Sequence, residues 1–568
     1  MASLQKKSVR GHTYWQLVES RRVNGKPRPI VLAHLGKADQ LLARLQQTAQ
    51  PVAAAIRDSA AVAALWKIAQ ELDLPALIQP HAGKRQQGHP VAHYLLLAAL
   101  NRALRPLPKT RIASWYAQTI LPRLLPMPRG HLSSQRFWNH LDYLDAAALD
   151  HIEQDLSRRL VERYGLDLQT LFFDATNFDT FIDSQTSARL PQRGHAKSKR
   201  TDLRIVGLAL MVSADFHIPL FWQVYPGNQP DSVTFSKVLP TLARRHRQLL
   251  AGTDQHITLV FDKGNNSQDN LQRLARTPYH VIGSLVPSQH PDLLAIPVER
   301  FRRLPPPFGA TWVYRTTKEV FGRPWTIVVT RSRSLLHGQL RGIRQQLAKK
   351  VKTLAELQDK VARSQAPGYR GKPYTEESLT KHLQEICRGP YIPEILRATV
   401  TRRRGKLGLH YSMDADAFRK LRREVLGKRL LFTDNADWSD DQIVAGYRGQ
   451  HHVERAFRDL KDPEVVQFNP LFHWTDSKIR VHAFSCVLAL TLVGLLHRQV
   501  VQAGVDISRS RLLEELKQVR VVTNLYPPAG TGGDRRAGRP RAETVLSQRT
   551  RLQKKLCTIL DLDPVLLR

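Results

Sequence analysis

Cysteine is scarce in this chain: there are three among 568 residues, Cys387, Cys486 and Cys557, with no C-x-x-C pair. That argues against a disulfide framework and a thiolate zinc site, and makes a reducing, cytoplasmic compartment the expected setting. Long apolar runs are also missing. The most apolar, "AFSCVLALTLVGLL" from Ala483 to Leu496, has 14 residues, short for a membrane span and typical of a buried helix, so no membrane partner is expected. The opening "MASLQKKSVRGHTYW" has no apolar stretch that would mark it for secretion. No internal repeat is visible.

Acids are in short supply as well. Asp plus Glu number 49 against 86 Lys plus Arg, a formal net charge of +37 at pH 7 and a pI near 10.5. Such a field attracts polyanions, nucleic acid foremost, and the expected location becomes nucleoid-associated. Ribosome association, a membrane surface, or a proteome rich in arginine throughout are the competing readings of charge alone. The 42% of hydrophobic residues is ordinary for a folded protein, and the length predicts two to four domains.

Along the chain, "HTYWQLVESRRVNGKPRPIVLAHLG" reads as a β-hairpin turning at Asn24-Gly25, which places an N-terminal β element in residues 1–50. Residues 51–165 turn helical. There "LSSQRFWNHLDYL" has Ser133 or Ser134 as N-cap and exposes Gln135, Arg136 and Asn139, side chains able to read bases, although an ordinary amphipathic helix shows the same pattern. Strand signals fill 166–289: "LQTLFFD" ending at Asp174, "RIVGLALMVS", "PLFWQVY", "HITLVFD" ending at Asp262 and "YHVIGSL", with one helical segment before the fourth. They suit a mixed α/β sheet. Residues 290–435 break the rhythm and read as an inserted α+β unit, whose basic helix carries Leu340, Ile343, Leu347, Leu354, Leu357 and Val361 on an apolar stripe. The runs "TRRRGK" and "RKLRREVLGKR" read as phosphate contacts or as solvated faces. A further core segment covers 436–500. The basic C-terminal region, 501–568, contains "GRPR" at 538–541, a four-residue likeness to a minor-groove hook.

In "GYRGQHHVERAFRDLKD" one glutamate, Glu454, sits among Arg455, Arg458 and Lys461. Ser439 and Gln442 have capping-box spacing and Pro463 marks the end, which predicts one helix over this stretch. At 100° per residue, Tyr447, Gln450, Glu454 and Lys461 fall within roughly 60° of each other, while Val453, Phe457 and Leu460 form an adjacent apolar stripe. Gly446 and Gly449 weaken the first turns by about 1 kcal/mol each, so a break near Tyr447 is compatible with the pattern. A phenol, an amide, a carboxylate and an ammonium on one face fit a cation-binding carboxylate flanked by phosphate donors better than a salt-bridged surface. Asp174 and Asp262, each closing an apolar strand, are the partners expected to converge with Glu454 on divalent cations. Alone, either aspartate reads as a strand-terminating cap. Asp179 and Asp183 are weaker candidates, and the adjacent His451 and His452 point to different faces and do not make a zinc site.

With these motifs in order, the sequence resembles the DDE transposases of bacterial insertion sequences, in the group marked by Tyr-x2-Arg-x3-Glu-x6-Lys. The signature is matched here by Tyr447, Gln450, Glu454 and Lys461, with glutamine in place of the arginine; "FFDATNFD", "VYPGNQPDS" and "LVFDKGNN" resemble the flanking motifs. Asp262 follows Asp174 by 88 residues and Glu454 follows Asp262 by 192, an interval like that of members carrying an insertion there. The resemblance implies an RNase H-like catalytic core and catalysis by Asp174, Asp262 and Glu454, which would hold two Mg²⁺ ions, with Mn²⁺ as a substitute. It also implies hydrolysis at inverted-repeat DNA ends, joining of the 3′ hydroxyls to target DNA, and a homodimer that pairs two ends. Tyr447 and Lys461 would hold a phosphate, Gln450 keeps a donor without charge, and Arg448 or Arg458 would compensate for it. Trp312 and Trp325 lie where some relatives stack a base, but each reads first as a core aromatic. A structure-specific nuclease and a domesticated, non-catalytic DNA-binding protein are the alternatives.

Overall fold

The computed structural model describes residues 2–9, 12–23, 26–37, 51–83, 88–183, 185–249, 256–403, 405–526 and 541–567. They form two compact units, one from Met1–Trp66, Pro108–Leu132 and Gln499–Arg568, the other from Lys67–Leu107 and Ser133–Arg498. The helical stretch expected over 51–165 is therefore shared between them.

In the first unit, β1 (Ala2–Val9), β2 (His12–Val23) and β3 (Lys26–Lys37) pair antiparallel in sequence order. The hairpin is present with Val23 opposite Lys26, the residues Asn24 and Gly25 lie outside the described ones, and β1 is an addition to the expected β element. A second sheet sets β4 (Ala53–Asp58) and a C-terminal strand β17 (Arg541–Leu546) on either side of β16 (Arg520–Tyr526). Of the "GRPR" segment, 538–540 lie outside the described residues.

The second unit is built on one nine-stranded sheet. Within it β5 (Thr170–Thr180) is followed by β6 (Arg204–Ser213) and β7 (Pro219–Pro226), the edge strand, as an antiparallel meander. On the other side of β5 lie β8 (Thr258–Phe261) and β9 (His280–Leu285), both parallel. Strands apolar on both faces belong in such a covered sheet, and every residue of β8 and all of Ile205–Ser213 are buried. β5 runs six residues past the expected end at Asp174, because β6 pairs with it as far as Thr180 opposite Arg204. The parallel ladder to β8 stops sooner, at Phe173 opposite Phe261.

Beyond β9 the sheet continues antiparallel through β15 (Lys428–Thr433), β12 (Arg323–Ser332), β11 (Thr311–Val320) and β10 (Arg302–Arg303). Much of the segment 290–435 is thus not a detached insertion, since its strands satisfy the open edge of β9. The part with its own core is narrower. Helix Arg333–Ser364 packs Leu340, Ile343, Leu347, Leu354, Leu357 and Val361, the predicted stripe, against helices Glu376–Ile386 and Ala415–Glu424 and the hairpin of β13 (Leu396–Arg403) and β14 (Lys406–Met413). Trp325 is buried and its indole N–H donates to the Val320 carbonyl at 3.0 Å, a core role, while Trp312 is half-buried beneath the Arg333 guanidinium.

The apolar run at Ala483–Leu496 lies within a longer helix, Asp476–Gln502, long and apolar enough to cross a membrane but with 94% of its apolar window buried inside the protein. Phe484 stacks on Trp222 of β7, and the His482 ring bonds the Phe468 carbonyl at 2.8 Å.

Candidate active site

Because Phe173 and Phe261 face each other across the last rung of the β5–β8 ladder, Asp174, still within β5, and Asp262, just past the end of β8, follow that rung side by side. Paired strands run about 4.8 Å apart, so the two residues occupy adjacent positions on neighbouring chain segments. The buried runs Leu171–Phe173 and Thr258–Phe261 fix both backbones. The Asp174 carboxyl is pushed up to about 6, chiefly by burial; the Lys197 ammonium and the Ala175 amide oppose this, and the Asp231 and Asp262 carboxylates add to it.

Two of those neighbours were not singled out from sequence. Asp231 opens helix Asp231–Leu249, where an acid favours the helix N-terminus, and it accepts a 3.3 Å hydrogen bond from the Tyr225 hydroxyl. Its only sequence signal is its place in "VYPGNQPDS", just before a helical pattern. Lys197 donates to the Ala175 carbonyl at 2.7 Å, and Asn177 clamps its segment by accepting from the Lys197 amide and donating to the His195 carbonyl. Nothing local in "GHAKSKR" predicts that fold-back.

The glutamate segment begins as predicted, with a reciprocal capping box between Ser439 and Gln442. It is not one helix, however. Helix Asp440–Arg448 ends at Gly449, and helix His451–Lys461 starts after Gln450. A Cβ on Gly449 would sit 2.4 Å from Cζ of Phe172, and one on Gly446 2.8 Å from Cδ1 of Ile282, so the two glycines let this joint lie directly on β5 and β9.

The break divides the predicted face. Tyr447, on the first helix, is buried, and its hydroxyl donates to Ser284 Oγ of β9 at 2.9 Å with the Arg429 guanidinium 5.1 Å from its ring. Burial raises the phenol pKa; Ser284 and Arg429 oppose this, while Asp262 and Glu454 add to it. Glu454 is exposed in the first turn of the second helix, where the helix dipole favours a carboxylate. Val453, Phe457 and Leu460 are buried as expected.

At the far end of that helix, the Lys461 ammonium donates to Thr176 Oγ1 at 3.1 Å and lies 5.1 Å from the Phe178 ring. Burial and Lys197 lower its pKa, against Asp179 and Asp174. Thr176 is two residues after Asp174 on β5, hence on the same face. Gln450 is half-buried at the joint without a capping bond, and Arg458 is exposed. Arg448 donates instead to Thr311 Oγ1 and the Phe308 carbonyl.

Oxygen donors suit a hard divalent cation, and the strained proton affinity of Asp174 beside two other carboxylates is what such an ion would relieve. Asp174 and Asp262 fit that role. Glu454 is not grouped with them: among the described residues, no three His, Cys, Asp or Glu side chains are arranged to hold a metal ion. His452 bonds His217 through their Nδ1 atoms at 2.7 Å, and its pKa falls to about 4, first through burial and then through His451 and Arg455.

No curated protein matches the chain. Among solved structures, a piggyBac transposase in a synaptic complex with hairpin DNA is similar over 80% of this chain and 79% of its own, at 9% identity and a TM-score of 0.37, too distant to carry an assignment. Residues 4–61 match the model of the IS1634 family transposase N-terminal domain, which supports an insertion-sequence transposase.

Proposed function

We propose that the protein is a DNA transposase that binds the inverted-repeat ends of its element, cleaves them and joins the 3′ hydroxyls to target DNA. The observation that carries this reading is the placement of Asp174 and Asp262 at the close of one parallel ladder, with Asp174 held at a raised pKa by burial beside acid neighbours. The strands β9-β8-β5-β6-β7 would then be an RNase H-like core.

Asp174, Asp262 and Glu454 are the proposed catalytic carboxylates: Asp174 and Asp262 would hold the two Mg²⁺ or Mn²⁺ ions, and Glu454, which the structure does not group with them, would have to join them as the third ligand when ions and DNA bind. Such ions, when bound, neutralise charge on the attacking and leaving oxygens of an in-line phosphoryl transfer. Tyr447, coupled electrostatically to both Asp262 and Glu454, acts as a brace that seats the first helix on β9. Lys461 offers its ammonium on the Asp174 face of β5, and Gln450 and Arg458 add phosphate donors nearby in the chain. A homodimer that brings two ends together, acting at the nucleoid in the cytoplasm, completes the proposal.

The test is cleavage of DNA carrying the element's end, in Mg²⁺, by wild type and Glu454→Gln. The expected result is loss of cutting by roughly 100-fold or more, about 2.7 kcal/mol of barrier, with DNA binding retained. Wild-type rates in the variant would overturn the assignment of Glu454. Cutting by wild type without strand-transfer products would mark a nuclease.

A further inference from the structure

A cleft of about 750 Å³ opens between the Phe308–Thr311 turn, the end of β12 and the start of helix Arg333–Ser364. Two guanidinium groups face it, Arg429 from β15 and Arg448 from the last turn of helix Asp440–Arg448, and no carboxylate lines it. Its other polar walls are the hydroxyls of Thr311, Thr330, Ser332 and Ser334 and the side-chain amide of Gln339.

Arg448 is held there by two neutral acceptors, Thr311 Oγ1 at 2.6 Å and the Phe308 carbonyl at 3.3 Å, and its guanidinium lies 5.4 Å from the Phe308 ring. Of five N–H donors it has committed two. Burial first, and then the charge of Arg429, lower its pKa, as expected of two guanidinium groups near each other. One guanidinium with spare donors held in a fixed orientation, a second facing the same cleft, and hydroxyls around them make a phosphate site. The cleft also adjoins the candidate active site, since Arg429 lies over Tyr447.

We infer that this cleft binds one backbone phosphate of a DNA strand, gripped jointly by Arg429 and Arg448. The inference rests on DNA being the substrate.

Binding of a 30-base-pair duplex of arbitrary sequence, titrated with salt, tests it. Arg429→Gln and Arg448→Gln should each flatten the slope of log K against log salt by about 0.9, the value for one phosphate contact. The double variant should lose no more than either single one, because both arginines serve one phosphate. Arg429→Lys, which keeps the charge, should restore most of the slope if a Gln variant folds poorly. Unchanged slopes in all variants, with wild type still binding DNA, would overturn the cleft and leave the transposase reading standing. Wild-type protein that binds no duplex would overturn both. Inorganic phosphate that raises the melting temperature of wild type but not of the double variant, with unchanged DNA slopes, would identify a free-anion site and sink the inference.

Discussion

Asp174 shows most directly how one residue joins stability to chemistry. Its pKa is raised from 3.8 to about 6, so the folded state keeps a proton that the unfolded chain releases over this window. The carboxyl is therefore neutral and harmless to folding below about pH 4, its penalty grows as pH rises towards 6, and it is fully present above 6. Asp174→Asn should stabilise the metal-free protein at pH 8 by on the order of 2 kcal/mol and should change little at pH 4. Denaturant unfolding in EDTA at the two pH values measures this; an equal effect at both would show that the carboxyl is not desolvated. Tyr447→Phe probes the neighbouring brace. It removes the donor to Ser284, a residue 4% exposed, and should lower stability by about 1 kcal/mol in the same unfolding assay. The acids at 174, 262 and 454 could be picked out in the sequence because each follows or interrupts a strong pattern. Asp231 and Lys197 could not, since their relevance comes from chain segments folding over β5.

At the level of elements, the joint at Gly449 and Gln450 separates the helix that carries Tyr447 from the one that carries Glu454. Helix propensity alone says that Gly449→Ala should help by about 1 kcal/mol. The packing says otherwise, because the new methyl would lie 2.4 Å from a Phe172 ring that is itself buried, so one of them has to shift within the core. We expect overpacking to win, with a net loss of about 1 to 2 kcal/mol and a lower melting temperature. A higher melting temperature would mean that the ring yields. The capping box at Ser439 and the apolar stripe of helix Arg333–Ser364 are local patterns, and both were readable in advance. The length of β5 was not, because pairing with β6, a partner distant in sequence, prolongs it beyond the last apolar run. For the same reason β11, β12 and β15 read as part of an insertion although they extend the main sheet.

For the molecule as a whole, the excess of 86 basic over 49 acidic residues sets the terms of any encounter with nucleic acid. Basic side chains at the tip of the β13–β14 hairpin and on helix Ala415–Glu424 are exposed, as a phosphate-tracking surface requires. If six to ten phosphates are contacted, duplex affinity should fall by roughly 10³ to 10⁵ between 50 and 200 mM salt. Salt-insensitive binding in a filter or anisotropy assay would argue that charge is not the driver.

The sequence by itself determined the charge, the positions of most strands and helices, and the chemical types available at three acid positions, because these depend on composition and on periods of two and 3.6 residues. Only the tertiary structure decided that Asp174 and Asp262 stand at the end of one ladder, that Tyr447 faces inward and that Glu454 lies on a second, separate helix. Those outcomes depend on contacts between segments far apart in the chain, and local pattern carries no record of which distant partner will fill each space.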